Sequence, residues 1–239
     1  MFEYLTDGNE IYRQSFALIR AEADLGAFTP DQAQVAVRMI HAAGQTDLAR
    51  DIEFSPHLVT AARTALAAGK PILTDVFMVH SGITRTRLPH NNEALCFLRD
   101  DRVPGLAKQL GTTRTAAAVE LWEPHLDGAV VAIGNAPTAL FHLLNWLLAD
   151  PARPRPAAIL GIPVGFVGAA ESKQALASTA TAIGTEFLTV HGRRGGSAIT
   201  CAAINALAHT HNVEMPITQA VYGVCHQGLA VSDMVAALM

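Results

Sequence analysis

The run AVVAIGNAPTALFHLLNW, residues 129–146, decides the fold class of this chain. Its first five residues are apolar, Gly134 marks a turn, and an apolar helical pattern follows from 138 to 148. Two more units of this kind follow, with strands predicted at 157–160 and 186–190 and helices at 170–182 and 197–208. Strands that alternate with helices at this spacing are typical of right-handed βαβ crossovers. The sequence therefore predicts an α/β fold of three layers, α/β/α, around a doubly wound, mostly parallel sheet.

The helices of the N-terminal half carry recognisable start and stop residues. Residues 29–32, Thr-Pro-Asp-Gln, form a capping-box pattern with proline at the first helical position, and Gly44 is the glycine expected just past the helix end. The same pattern predicts a second helix from Ser55-Pro56 to about residue 68. A third helix is predicted to begin at Thr112 or Thr113 and to run to about residue 122.

Three segments complete the division of the chain. Residues 71–79 are predicted to form a strand, and residues 81–102 form a polar, punctuated stretch that we expect to be a long functional loop with short helical pieces. We expect residues 1–208 to make a single domain. Residues 209–239 are then a C-terminal extension of unknown role, with a short helix near 231–238.

The composition restricts the class of protein. Half of the 239 residues are apolar and 16% are charged, which is enough material for a sizeable core. The net charge of −4 gives no support for a nucleic-acid or anionic-membrane partner. The apolar stretches are interrupted before the ~20 residues that span a bilayer, and the first nine residues lack a signal-peptide pattern. Three cysteines without a CxxC unit (Cys96, Cys201, Cys225) suit a reducing compartment, so we expect a cytoplasmic protein.

Glycine-containing loops follow the three downstream strands, at 134–138, 161–168 and 192–197. In an open α/β sheet the ligand site lies at the carboxyl ends of the strands, and each of these loops opens a helix whose free N–H groups favour an anion. The sequence thus predicts a site for a large ligand with several negative charges. It disfavours a nucleotide, because neither the G-x-G-x-x-G nor the G-x-x-x-x-G-K-[ST] pattern occurs.

Other site patterns are also missing from the sequence. There is no G-x-S-x-G nucleophile elbow and no H-E-x-x-H pair. His209 and His211 share one face of a possible strand but have no third ligand nearby, so we predict no metal site.

His41 is the single most informative side chain. It lies in the last turn of the helix that begins after Thr29, where the helix dipole stabilises an imidazolium by ~0.3–1 kcal/mol. This position favours a proton donor near neutral pH. Judged by position alone, a surface or helix-capping histidine is the more frequent explanation.

Seven segments together resemble one family, the precorrin-8X methylmutases (precorrin isomerases), in order and spacing over residues 2–208. These segments are Ser15-Phe16 with Ile19-Arg20, 38–42, 75–79 with 82–85, 113–117, 133–141, 161–173 and 192–197. The resemblance implies a flavodoxin-like sheet and a homodimer whose active site lies near the subunit interface. It also implies one reaction without a cofactor, in which a methyl group moves from C11 to C12 of precorrin-8X to give hydrogenobyrinate, or the cobalt analogue.

The resemblance also assigns roles to individual residues. His41 matches the family's catalytic histidine and Ser15 its substrate-contacting serine, while Gln45 stands where the family often has Asp. A general acid at His41 fits a methyl shift, because protonating a ring nitrogen would draw electron density toward the migration terminus, and a positioned acid contributes ~10²–10⁴-fold. We expect the remaining substrate-binding residues to hold the acetate and propionate arms of the macrocycle. They are Thr84, Arg85, Arg114, Asn135, Arg194 and Gly195.

The sequence leaves two other functions open. A non-catalytic corrinoid carrier would bind precorrin-8X without converting it, and a nucleotide-dependent enzyme on the same fold would be stabilised by nucleotide. For assembly, we predict a C₂ homodimer in which residues 81–102 of one chain lie near the cleft that contains His41 of the other.

Overall fold

The computed structural model of the chain describes residues 2–208. Its helices are α1 (Gly8–Glu22), α2 (Pro30–Ala43), α3 (Leu58–Ala67), α4 (Phe77–Gly82), α5 (Val103–Leu110), α6 (Arg114–Val119), α7 (Pro137–Ala149), α8 (Ala169–Ile183) and α9 (Ser197–Ala208). Its strands are β1 (Ile52–Phe54), β2 (Ile72–Thr74), β3 (Ala94–Leu95), β4 (Val130–Ile133), β5 (Ala158–Gly161) and β6 (Glu186–Val190). Short 3₁₀ helices occupy Thr46–Asp51, Arg85–Arg87 and Glu120–His125.

The six strands form one sheet in the order β1-β6-β5-β4-β2-β3. β2 to β6 are parallel, and β1 alone runs antiparallel, against β6. Numbered along the chain, the five parallel strands have the order 2-1-3-4-5, which is the flavodoxin-like order. The predicted fold class is therefore confirmed.

Helices cover both faces of the sheet, so its central strands are buried on both sides. In β4, Val130 and Ala132 join a core with α2, α3 and α9, whereas Val131 and Ile133 join a second core with α7 and α8. All four side chains are fully buried. This explains why the strand reads as a continuous apolar run instead of an alternating one.

Both ends of α2 and the start of α6 are found where the sequence places them, whereas α3 begins at Leu58, after the predicted Ser55-Pro56, and α6 gives way to a 3₁₀ helix at Glu120. The Gln32 N–H donates to the Thr29 hydroxyl at 3.3 Å, and the Thr29 N–H donates to the Gln32 side-chain oxygen at 3.0 Å, which completes the capping box. Gly44 adopts φ +65° and closes α2 with an N–H bond to the Ile40 carbonyl at 2.8 Å. Thr113 caps α6.

The predicted strand at 71–79 is wrong in its second half. β2 ends at Thr74, and the chain then forms α4, whose Val79 is fully buried in the core around α9. A short apolar run cannot distinguish a strand from a buried helix by its periodicity. The stretch 81–102 contains the expected 3₁₀ turn at Arg85–Arg87, but also the edge strand β3, which was not predicted.

Some expectations concern residues 209–239, which lie outside the described residues. They include the predicted helix near 231–238, the pair His209 and His211, and Cys225. The division at residue 208 stays a prediction. None of the helices described between residues 2 and 208 is long and apolar enough to cross a membrane.

Candidate functional site at the strand ends

Asp75 joins the two strands between which the strand order reverses. It directly follows β2, and its carboxylate accepts the N–H groups of Gly134, Asn135 and Ala136, which follow β4, at 3.0, 2.9 and 2.8 Å. Burial raises the pKa of Asp75, and the three N–H donors act in the opposite direction. The backbone of the turn is thus fixed while the Asn135 side chain is exposed at the rim. Sequence reasoning assigned Asp75 no role, although an Asp directly after a buried strand was the available signal.

A cluster of threonines holds Arg114 beside the same turn. The Thr113 hydroxyl caps α6 by accepting the Ala116 N–H and lies 2.8 Å from the hydroxyl of Thr138, at the start of α7. Thr115 lies 3.3 Å from the same hydroxyl. Arg114, the first residue of α6, is exposed. Arg114 therefore begins α6 near the N-terminus of α7, and Asn135 lies two residues before Pro137, the first residue of α7.

The two downstream glycine loops are joined to each other through their backbones. The Gly196 N–H donates to the Ile162 carbonyl at 2.8 Å, and the Gly165 N–H donates to the Arg193 carbonyl at 3.2 Å. A Cβ on Gly195 would lie 2.5 Å from the carbonyl oxygens of Ile162 and Pro163. Only glycine therefore permits this approach, which gives Gly195 a structural function whether or not it also contacts a ligand.

Lys173 supports the loop at 192–196 from below. It is fully buried on α8, and its ammonium donates to the Arg194 carbonyl at 2.6 Å. Burial lowers the pKa of Lys173 to about 8, against the opposing effect of the Asp51 carboxylate. Lys173 was not predicted to have a role of its own, because spacing along the chain does not show whether a lysine is buried.

The Arg194 guanidinium is bound by the chain's own side chains. Its Nε donates to Asp51 at 3.0 Å and its Nη1 to Asp47 at 2.9 Å, with a further contact to Gln45 at 3.3 Å. These carboxylates raise the pKa of Arg194. The guanidinium that was predicted to bind substrate is thus paired with the protein's own carboxylates in this structure. These contacts also connect the segment after α2 to the loop at 192–196.

His41 packs against two aromatic rings of α1. Its ring centroid is 5.3 Å from that of Phe16, nearly perpendicular to it, and 5.5 Å from that of Tyr12. His41 is exposed, and Ser15 beside Phe16 is partly exposed. Among residues 2–208, no side chain hydrogen-bonds the imidazole, including Gln45. α1 therefore brings Ser15 and His41 into one neighbourhood, as a substrate site requires.

The segment that contains Thr84 and Arg85 is anchored on α9. The Asn205 side chain accepts the Thr84 N–H at 2.8 Å and donates to the Gly82 carbonyl at 2.9 Å. Arg85 contacts the His80 ring at 3.0 Å, and the pKa of His80 is lowered by its burial and by that positive charge. Arg85 itself is exposed.

The predicted site residues thus form two groups at the sheet. One lies with α1, α2 and α9 and contains Ser15, His41, Thr84, Arg85, Arg194 and Gly195. The other, Arg114 with Asn135, lies on the α6–α7 side of the strand reversal. Within residues 2–208, no three His, Cys, Asp or Glu side chains are grouped so that they could hold a metal ion.

Comparison with known proteins identifies the family. The family model for precorrin-8X methylmutase matches residues 10–210. The precorrin-8X methylmutase of Sinorhizobium sp. is 58% identical over 207 residues, covering 87% of this chain and 97% of that protein. The cobalt-precorrin-8 methylmutase of Priestia megaterium is 37% identical over 200 residues, covering 83% and 86%.

A solved structure gives the same answer. The crystal structure of precorrin-8X methylmutase from Thermus thermophilus superposes with a TM-score of 0.75 at 36% identity, covering 84% of this chain and 95% of that one. Sequence, family model and fold therefore agree, and this chain belongs to the precorrin-8X methylmutase family.

Proposed function

We propose that this chain catalyses the isomerisation of precorrin-8X to hydrogenobyrinate by moving one methyl group from C11 to C12 of the macrocycle. The observation that carries the proposal is the position of His41. The imidazole lies at the C-terminal end of α2 and packs against Tyr12 and Phe16. Gln45, which follows α2, contacts Arg194 in the loop at 192–196. An exposed imidazole next to a glycine-rich rim suits an acid that acts on a bound ring.

His41 acts as the general acid in this proposal. The ring is exposed, so it can exchange a proton with a bound ligand and with solvent. Donation to a ring nitrogen makes the macrocycle electron-poor at the carbon that receives the methyl group. The proton returns once the methyl group has moved, so the reaction needs no redox partner and no cofactor.

The macrocycle is held through its carboxylate arms. Arg114 and Asn135 are exposed beside the N-terminus of α7, and Thr84 and Arg85 are anchored through Asn205 on the α9 side. Ser15 precedes Phe16, and the Phe16 ring contacts His41. The Arg194 guanidinium would have to release Asp47 or Asp51 before it could bind a substrate carboxylate. We therefore assign ligand binding at this loop to its backbone, including Gly195, and not to the Arg194 guanidinium.

We propose metal-free precorrin-8X as the natural substrate. The relatives from Sinorhizobium sp. and Pseudomonas aeruginosa, at 58% and 56% identity, are precorrin-8X methylmutases. The cobalt-precorrin-8 methylmutases from Priestia megaterium and Methanothermobacter thermautotrophicus are less similar, at 37% and 36% identity. We place the reaction in the cytoplasm, where a biosynthetic enzyme meets a small-molecule substrate made by other enzymes. We also propose that the enzyme is a homodimer.

The test is to mix the purified protein with metal-free precorrin-8X and record the absorption spectrum. We expect the spectrum to change to that of hydrogenobyrinate under catalytic, multiple-turnover conditions. A carrier would instead bind precorrin-8X and leave its spectrum and its retention on chromatography unchanged after release, and that result would refute the proposal. Cobalt-precorrin-8, measured in parallel, decides between the two substrates by the ratio of their kcat/KM values.

A further inference from the structure

Arg38 lies one turn before His41, and both side chains contact Phe16 of α1. Positions three apart on a helix are neighbours on one face. The Arg38 guanidinium carbon is 5.4 Å from the centroid of the Phe16 ring, and the same ring packs edge-on against His41. The cation therefore lies beside the imidazole on the side that Phe16 borders.

Two other arginines, Arg87 and Arg20, lie close enough to act on the charge of Arg38. Burial lowers the pKa of Arg38, and the charges of Arg87 and Arg20 lower it further, while Tyr12 opposes them. No Asp or Glu among residues 2–208 lies within salt-bridge distance of any of these three arginines. Arg194, on the same side of the sheet, shows the contrast, because Asp47 and Asp51 pair with it.

Like charges gathered in a half-buried position destabilise the empty protein, since each opposes the ionised state of the others. A bound anion reverses this effect, and the planar fork of arginine suits a carboxylate, which it can bind through two parallel hydrogen bonds. The arrangement therefore favours the binding of a ligand with carboxylate groups, whereas it destabilises the protein without a ligand.

We infer that Arg38, which packs on Phe16 one turn before His41, binds one carboxylate arm of the macrocycle and so sets the position of the ring relative to His41. This inference rests on the proposed function, which supplies a carboxylate-bearing ring. An arm bound one helical turn from the acid would fix the ring nitrogen at a constant distance from the imidazole.

The experiment is a binding titration with two ligands. One is hydrogenobyrinate, and the other is a derivative in which all side-chain carboxylates are primary amides. We expect Arg38→Gln to weaken hydrogenobyrinate binding about 10- to 100-fold, the range for losing a charged hydrogen bond, and to bind the amide derivative as tightly as the wild type does. The loss should shrink at high ionic strength.

Two more variants complete the design. Lys108→Gln removes one exposed positive charge from α5, on the opposite face of the sheet, and should bind both ligands like the wild type. Arg38→Lys keeps the charge without the fork and should recover part of the affinity, which also covers the case in which Arg38→Gln fails to fold.

Each outcome distinguishes the two proposals. If the wild type binds hydrogenobyrinate and both Arg38 variants bind it equally well, the carboxylate site is wrong and the proposed function stands. If Arg38→Gln loses the same factor toward both ligands, the side chain acts through the fold and the inference also fails. If the wild type binds neither hydrogenobyrinate nor precorrin-8X, both proposals are overturned.

Discussion

At the scale of single residues, the chemistry of this site depends on how two titratable side chains are held. His41 is exposed and packs against Tyr12 and Phe16, whereas Lys173 is fully buried with one hydrogen bond to the Arg194 carbonyl. The first can exchange protons with solvent and ligand, and the second can only support the backbone above it.

Replacing His41 with alanine should therefore remove turnover and leave the fold intact. Without the general acid we expect kcat to fall ~10²–10⁴-fold. Hydrogenobyrinate affinity should change little, because the arms of the ring are held elsewhere. Stopped-flow absorbance gives the rate, and a titration and a thermal melt give the affinity and the Tm. A variant with near wild-type kcat would show that His41 is not the acid.

Lys173 should make stability depend on pH in the alkaline range. Because burial lowers the pKa of Lys173 in the folded state from 10.5 to about 8, the unfolded chain binds more protons between these two values. The contribution of Lys173 to the free energy of unfolding must therefore rise as the pH rises from about 8 toward 10.5.

Urea unfolding at several pH values measures this contribution. The difference in free energy of unfolding between wild type and Lys173→Met should increase over that pH range. The corresponding difference for Lys108→Met, at an exposed position, should stay flat. If the difference for Lys173→Met is also independent of pH, burial does not lower the pKa of Lys173 and the prediction is wrong.

At the scale of elements, the predictable parts of the fold are those whose strands are buried on both faces. β4 and β5 are continuous apolar runs, β6 is rich in apolar and β-branched residues, and a glycine-containing turn follows each of them; the sequence located all three within a residue or two. β1 and β3 have three and two residues, too few to show a period. Each forms by hydrogen bonding to the edge of a neighbouring strand, β6 or β2, and a local sequence pattern does not show this pairing.

The candidate site residues came from different kinds of sequence signal. His41 was proposed from its helix position together with the family resemblance, Asn135 from a loop at a strand end, and Arg114 from a segment that matches the family and from its planar guanidinium. The pairing of Arg194 with Asp47 and Asp51 could not be foreseen, because these residues are more than 140 positions apart in sequence. Asp75 had a sequence signal in its position at a buried strand, but its three N–H partners lie in a turn about 60 residues later, so its role could not be read from local sequence.

The junction of the two glycine loops gives a prediction at this scale. Gly195→Ala places a methyl group against the carbonyls of Ile162 and Pro163, so the loop at 192–196 must move away. We expect lower stability and weaker hydrogenobyrinate binding, measured by Tm and by titration. Gly105→Ala in α5 is the control, because nothing lies within 4 Å of its new Cβ and alanine favours a helix. Unchanged binding in Gly195→Ala would separate this loop from the ligand site.

At the scale of the whole molecule, the surface around α1 suggests an interaction with a second subunit. Phe2, Tyr4 and Leu18 are exposed large apolar side chains on the N-terminal segment and α1, next to the helix that carries His41. Apolar groups gathered on one part of a surface are typical of an interface. The proposed homodimer would cover them, and it would enclose a broad, flat ligand that the strand-end rim of one chain leaves open.

Complementation between two inactive variants tests both the dimer and the sharing of its site. In the proposed arrangement, residues 81–102 of one chain serve the cleft that contains His41 of the other, although Arg87 also lies close enough to Arg38 of its own chain to lower its pKa. A two-fold axis beside the Arg85–Arg87 turn would bring that turn near both copies of α2. We therefore expect light scattering to report a dimer at micromolar concentration.

His41→Ala and Arg85→Ala should each be impaired as pure homodimers. In a mixed dimer, one of the two sites would combine an intact His41 with an intact Arg85, so subunits exchanged at random should regain about one quarter of wild-type activity. If each site is instead built from a single chain, every site in the mixture carries one of the two defects, and mixing restores nothing. A monomer by light scattering, or no recovery after verified subunit exchange, would place His41 and Arg85 in the same chain's site.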